Sequence, residues 1–150
     1  MTRLVRLAQR WHSCAIRMPS RVMALAWVPV GLAYLVDGLT DWAASPETDA
    51  MPAWLLLTLG PMLAAAGLRV TIAVLSDPPN MADRWANERL GWYLGAGAWG
   101  LYVLAYAALH ASSLAGIVLP LSWAISGSYA IRRLNAAETR ARTAAGEADL

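Results

Sequence analysis

The chain has 150 residues, of which 58% are hydrophobic and only 15% are charged, and its formal net charge at pH 7 is +2. An average soluble domain is far less apolar than this. The single cysteine, Cys14, excludes an internal disulfide framework. Because the apolar residues come in blocks long enough to span a bilayer, the composition predicts an integral membrane protein.

The N-terminal segment, residues 1–20, combines arginines with apolar side chains at helical spacing. Leu4, Leu7 and Trp11 fall on one side of a helical wheel and the arginines fall on the other. This pattern predicts an amphipathic helix in the headgroup layer, with its arginines toward anionic lipid. A disordered basic leader that only sets the topology is the alternative. The arginines predicted to contact lipid headgroups are Arg3, Arg6, Arg10, Arg17 and, from a later apolar stretch, Arg69.

Four apolar stretches follow, and each is about as long as a helix that crosses the hydrocarbon core. The first is predicted to be an uncleaved signal anchor, because the leader before it is long and Trp42 would occupy the small-residue position of the best cleavage site. The predicted spans are residues 22–42, 53–75, 90–110 and 114–131, within a transmembrane domain of residues 21–131 followed by a charged cytoplasmic tail, residues 132–150. The predicted fold is therefore all-α, an antiparallel four-helix transmembrane bundle preceded by the interfacial helix.

Small residues recur along one side of two of the predicted spans. The third span contains four glycines, each of which would weaken a helix in water. In lipid the helix forms anyway, since no other open structure satisfies its own backbone. Small faces then allow another helix backbone to approach closely. The residues predicted to pack helices are Gly60, Ala64, Gly67, Gly91, Gly95 and Ala98.

The distribution of arginine along the chain predicts its orientation. All twelve basic residues are arginines, and none lies in the turn between the first two spans or in the turn between the last two. The positive-inside rule therefore places both termini and the loop Ser76–Glu88 in the cytoplasm of a bacterium, with the spans in its inner membrane. Trp42 and Trp54 fall at the outer interface in this topology, and Trp85 falls at the inner one.

Three charged residues, Asp37, Asp41 and Arg69, lie inside the predicted spans, where ionisable groups are the default place to look for function. At about 1.5 Å per residue, Asp37 lies near the outer face and Arg69 near the inner face, so an ion pair between them is not expected. Arg69 is predicted to extend to the inner headgroups. Alternatively, it pairs with an acidic residue of the nearby loop: Asp77, Asp83 or Glu88.

A possible polar site lies at the outer end of the predicted bundle. Asp37 and Asp41 are one helical turn apart, and His110 is expected at the same depth. Two carboxylates and a histidine at one level could bind a proton or a cation. The alternative is that they are polar helix ends in the outer interface.

No catalytic motif is complete. Asp37-Gly38-Leu39-Thr40-Asp41 begins like the Asp-Gly-x-x-Ala-Arg signature of CDP-alcohol phosphotransferases, but the Ala-Arg and the later spaced aspartates are missing. Neither a zinc ligand set nor a cysteine–histidine nucleophile pair is present. We therefore predict that the protein is not an enzyme, uses no cofactor or metal, and binds lipid rather than nucleic acid.

In outline the chain resembles holins of actinobacterial phages. The resemblance covers the small multi-span form, the basic N-terminal segment, the charged C-terminal tail, the small-residue helix faces and the use of arginine as the sole basic residue. It implies a protein that self-associates through those faces to form or control a membrane lesion. The alternatives are an accessory or scaffolding subunit of a larger membrane complex and a small transporter or channel that uses Asp37, Asp41 and His110.

Overall fold

A computed structural model describes residues 19–40, 51–75, 81–109 and 115–148, and these residues form four α-helices and no strand. The predicted all-α class is confirmed for this part of the chain. The predicted interfacial helix with Arg3, Arg6, Arg10 and Arg17 lies outside the described residues, as do Asp41 and His110. The helices are α1 (Pro19–Thr40), α2 (Ala53–Leu75), α3 (Met81–Leu109) and α4 (Ala115–Ala148).

Two of the helices are longer than the spans predicted within them. α3 begins at Met81, so Asp83 to Glu88 are helical, and the prediction of a loop there is wrong. Pro78-Pro79-Asn80 is a helix-start signal, and Asp83 in the first turn suits the positive end of the helix dipole. α4 continues through the charged tail to Ala148, in a stretch rich in alanine, the strongest helix former.

Consecutive helices run antiparallel, because residues early in one helix contact residues late in its neighbour. α1 and α3 consequently run parallel. α4 packs mainly along α3 and touches α1 at only a few positions. Pairs that define these directions are Ala24 with Gly67 in α1–α2, Ala66 with Gly91 in α2–α3, and Tyr106 with Gly116 in α3–α4.

The core lies between α1, α2 and α3. From α2 it takes leucines that are almost completely buried, and from α3 it takes a column of aromatic rings. Trp99 stands edge-on to Tyr102 in this column and also meets Trp123 of α4, with ring centroids 4.4 Å apart. The main core side chains are Leu55, Leu59, Leu63, Trp92, Trp99, Tyr102 and Tyr106.

Two of the four described helices are long and apolar enough to cross a membrane. They are the α1 segment Ser20–Thr40 and α2, each with a mean hydropathy of 1.7. α3 and α4 do not reach the same hydropathy, because glycine, tryptophan, tyrosine and serine take many of their positions. Hydropathy thus supports two of the four predicted spans.

Candidate functional site: buried charges at the two ends of the bundle

A buried ion pair joins the parallel helices α1 and α3. The Arg21 Nε donates to Glu88 Oε1 at 2.6 Å, and the Arg21 Nη2 donates to Oε2 at 2.8 Å. The Glu88 side chain is completely buried, whereas 17% of the Arg21 side chain is exposed. The planar guanidinium fork matches a carboxylate at two points, which fixes geometry as well as charge. The pair therefore sets the register of α1 against α3.

Two tryptophans cover this ion pair from the core side. The Trp92 Nε1 donates to Glu88 Oε1 at 3.4 Å, and the Trp92 ring meets the Trp27 ring edge-on with centroids 5.3 Å apart. Gly95 makes room for Trp27, because a Cβ at Gly95 would lie 2.1 Å from Trp27 Cζ3. Gly95 thus faces an indole ring, whereas the sequence predicts a helix backbone as its neighbour.

Arg69 lies near the same end of the bundle. Its Nη1 donates to Asn87 Oδ1 at 2.8 Å, and the residue is exposed. Glu88, one of the acidic partners that the sequence offers to Arg69, is bound instead by Arg21. Contact between Arg69 and lipid headgroups stays a prediction.

A second set of charges fastens α4 to α3. The Arg89 Nη2 contacts Glu138 Oε2, and the Arg142 Nη2 donates to Glu138 Oε1 at 2.7 Å. The hydrogen bond from Arg142 is the main cause that lowers the pKa of Glu138, with Arg89 adding to the effect and partial burial opposing it. Glu138 therefore stays ionised below the ordinary range of a glutamate. Its stabilising contribution is present above its unfolded pKa and is lost as the pH falls through the folded pKa.

Every arginine in the described part of the chain lies at one end of the bundle or on the extension of α4 beyond it. The antiparallel order brings together the start of α1, the end of α2, the start of α3 and the second half of α4. Asp37 lies toward the opposite end. We call the first end the arginine end; its members are Arg21, Arg69, Arg84, Arg89, Arg132, Arg133, Arg140 and Arg142.

Asp37 is the buried acid of the opposite end. It is 4% exposed, and its Oδ2 is buried with no hydrogen-bond partner among the described residues. One turn earlier, Tyr34 stacks on Tyr102 with ring centroids 6.3 Å apart, and Tyr102 stacks on Tyr106 at 5.7 Å. Burying a carboxyl oxygen with no partner is unfavourable. Such groups therefore concentrate at functional sites.

The predicted packing residues lie largely in helix contacts within one chain. Three of the glycines have no space for a side chain: a Cβ would lie 2.8 Å from Gly31 O at Gly60, 2.6 Å from Ala24 O at Gly67, and 2.9 Å from Ala66 O at Gly91. Ala64 borders the same α1–α2 contact, and Ala98 is fully buried.

Gly31 is a packing residue that is not among those predicted from the sequence. A Cβ on Gly31 would lie 2.5 Å from both Ala64 N and Gly60 O. It faces the predicted small surface of α2 from the other side. The signal available in the sequence is its spacing of seven residues from Gly38, which puts both glycines on one side of the helix. Gly38 also packs closely against α2.

Together these features define an all-α protein with two helices apolar enough to cross a membrane, a buried ion pair at its arginine end and a buried acid toward the other. No group of three or more histidine, cysteine or acidic side chains that could hold a metal occurs among the described residues. Comparisons with known protein families, with curated proteins and with solved structures found no match to this chain.

Proposed function

We propose that the chain is an integral protein of the bacterial inner membrane and that all four helices cross the bilayer. The observation that carries this proposal is the large apolar side chains exposed on every helix, including α3 and α4. Leu39 is 69% exposed, Leu104 is 70%, Val118 is 63% and Ile125 is 61%. A water-soluble monomer rarely exposes so much apolar surface, whereas a lipid-facing surface requires it.

In this proposal the arginine end faces the cytoplasm, and both termini lie there. Arginines gathered at one end of an apolar bundle are what the positive-inside rule describes. The exposed ring of Tyr129 near that end and that of Trp54 near the other suit the two interfacial aromatic belts.

We further propose a holin-like role, in which copies of the chain associate to form or control a membrane lesion. α4 packs mainly along α3, so its apolar face is left for a neighbour. The faces of Gly60, Gly67 and Gly91 are already occupied within one chain. Association between copies would instead use the open side of α3 around Gly100, where a Cβ meets no described residue within 4 Å.

Regulated expression in a bacterial host tests this role. We expect a delayed, sudden loss of membrane potential and release of a co-expressed endolysin. Gly100→Leu is the matched variant, because a Cβ at residue 100 meets no described atom of the single chain within 4 Å, whereas a second helix backbone would be held away by the leucine. The variant should accumulate to the same level and lose the lesion. A lesion of unchanged timing in the variant would contradict association through this face.

An accessory or scaffolding subunit is the competing assignment. Such a subunit would dock on a larger partner through the same open surfaces. Normal growth and an intact potential during expression would favour it over the holin-like role, and the chain should then co-purify with a membrane partner.

The buried carboxyl of Asp37 favours a second candidate function, a small transporter or channel for protons or cations. In liposomes, such a protein should carry a flux that depends on pH, and Asp37→Asn, alone or with Asp41→Asn, should reduce that flux at least tenfold. The control is Asp83→Asn, which neutralises an exposed acid at the arginine end. Equal flux in the wild type, in Asp37→Asn and in the double variant would leave Asp37 without a transport role.

A further inference from the structure

A groove with an apolar floor and a cationic mouth runs between α3 and α4. Its volume is about 360 Å³. Ala96, Ala124 and Ile125 form the apolar part, and Ser128, Tyr129 and Arg132 form the polar part. The change from apolar to polar follows α4 toward the arginine end, which the proposed membrane orientation places at the inner headgroup layer.

Arg132 makes no ion pair with any described residue. This distinguishes it from Arg21, Arg89 and Arg142, whose guanidinium groups are bound by glutamates. Its neighbour Arg133 lies over the Tyr129 ring, 5.8 Å from the centroid. Within the described part of the chain, Arg132 is therefore a cation without an anionic partner at the mouth of the groove.

We propose that this groove binds one anionic phospholipid of the inner leaflet. Arg132 would pair with the phosphate, since a guanidinium fork binds phosphate oxygens at two points. The Tyr129 hydroxyl is a second donor at the mouth, because the residue is 61% exposed. One of its acyl chains would lie along Ala96 and Ala124. Charge complementarity at one end and an apolar floor at the other select a phospholipid over a free phosphate ion, and the site rests on the proposed membrane placement.

Lipid binding to the purified full-length chain tests the site. The probes are phosphatidylglycerol and phosphatidylcholine of equal chain length, titrated against protein in mixed micelles and followed by native mass spectrometry. We expect the wild type to prefer phosphatidylglycerol and Arg132→Gln to weaken that binding about fivefold, the effect of one basic residue near an anionic lipid. Arg140→Gln, which removes the same charge from the exposed extension of α4, should leave it unchanged.

A second variant keeps the charge and fills the groove. Ile125→Trp places a bulky indole ring at a position that is 61% exposed, so the helix contacts remain, and it should also weaken phosphatidylglycerol binding. Equal weakening by Arg132→Gln and Arg140→Gln would overturn the site, because it would mean that charge acts diffusely. An equal affinity of the wild type for both lipids would overturn it as well.

Extraction of membranes with alkaline carbonate separates the failure of this site from the failure of the proposed membrane placement. A wild-type chain that is released into the supernatant would refute the placement itself. A chain that stays in the membrane but shows no dependence on Arg132 would refute the lipid site alone.

Discussion

Replacing Arg21 with glutamine is expected to lower the free energy of unfolding by about 3–5 kcal/mol, the usual effect of removing one partner of a buried ion pair. The reason lies with the residue that stays behind. Glu88 is completely buried and receives two hydrogen bonds from Arg21, so the variant strands a carboxylate in the interior. The hydrogen bond from Trp92 is too long to replace them.

Equilibrium unfolding in detergent, followed by tryptophan fluorescence, measures the effect. Arg142→Gln is the control, because it removes an arginine that also pairs with a glutamate but is 78% exposed. Water screens such a pair, so the control should behave almost as the wild type. A similarly small change in both variants would mean that Glu88 does not depend on Arg21.

The double variant Arg21→Met with Glu88→Met separates the electrostatic contribution to the loss of stability from the contribution of packing. Replacing both members of a buried pair by apolar side chains of similar size is often neutral or stabilising. We therefore expect the double variant to be more stable than Arg21→Gln. If it is equally unstable, the loss comes from packing around Trp27 and Trp92 rather than from the stranded charge.

The sequence predicts the helices well where apolar length alone determines them. α2 begins and ends at the residues predicted for the second span, because its apolar block is bounded by Pro52 and by the polar Ser76-Asp77. The start of α3 is missed for a different reason. Residues 81–89 are polar enough to be taken for a loop, although good start signals precede them and they contact α1 through the ion pair of Glu88 with Arg21.

Because the start of α3 is not predicted, the ion pair between Arg21 and Glu88 cannot be predicted either. Arg21 and Glu88 lie at the same depth, at the same end of two parallel helices, but their depths can be compared only once Glu88 is known to be helical. Whether Arg21 and Glu88 also face each other depends on how α1 packs against α3. Trp27 occupies the space beside Gly95 and so brings α1 close enough for Arg21 to reach across.

The glycine pattern predicts small surfaces but does not predict their partners. Gly60 and Gly67 lie against the backbone of α1, as a small face allows, whereas Gly95 lies against a ring. A glycine in the sequence reports only that a Cβ is missing. Whether a backbone, an indole or open space fills the gap depends on the neighbouring helix, and the sequence of one helix does not contain that information.

Gly31→Ala is expected to lower the free energy of unfolding by about 1–3 kcal/mol, the range typical of overpacking in a well-packed core. The added methyl would lie 2.5 Å from Ala64 N and from Gly60 O, and both are backbone atoms that cannot rotate away as a flexible side chain can. α1 and α2 must therefore move apart along their closest contact. Unfolding in detergent, monitored as for the ion pair, gives the change in free energy.

Gly100→Ala is the matched control for this experiment, since it makes the same chemical change in the middle of a helix. No described residue lies within 4 Å of a Cβ at Gly100, so only the intrinsic preference of alanine for the helix remains, and the variant should be unchanged or slightly more stable. If both variants lose the same stability, the α1–α2 contact is not as close as Gly31 indicates. If only Gly31→Ala does, the closest approach of these two helices requires that residue 31 have no side chain.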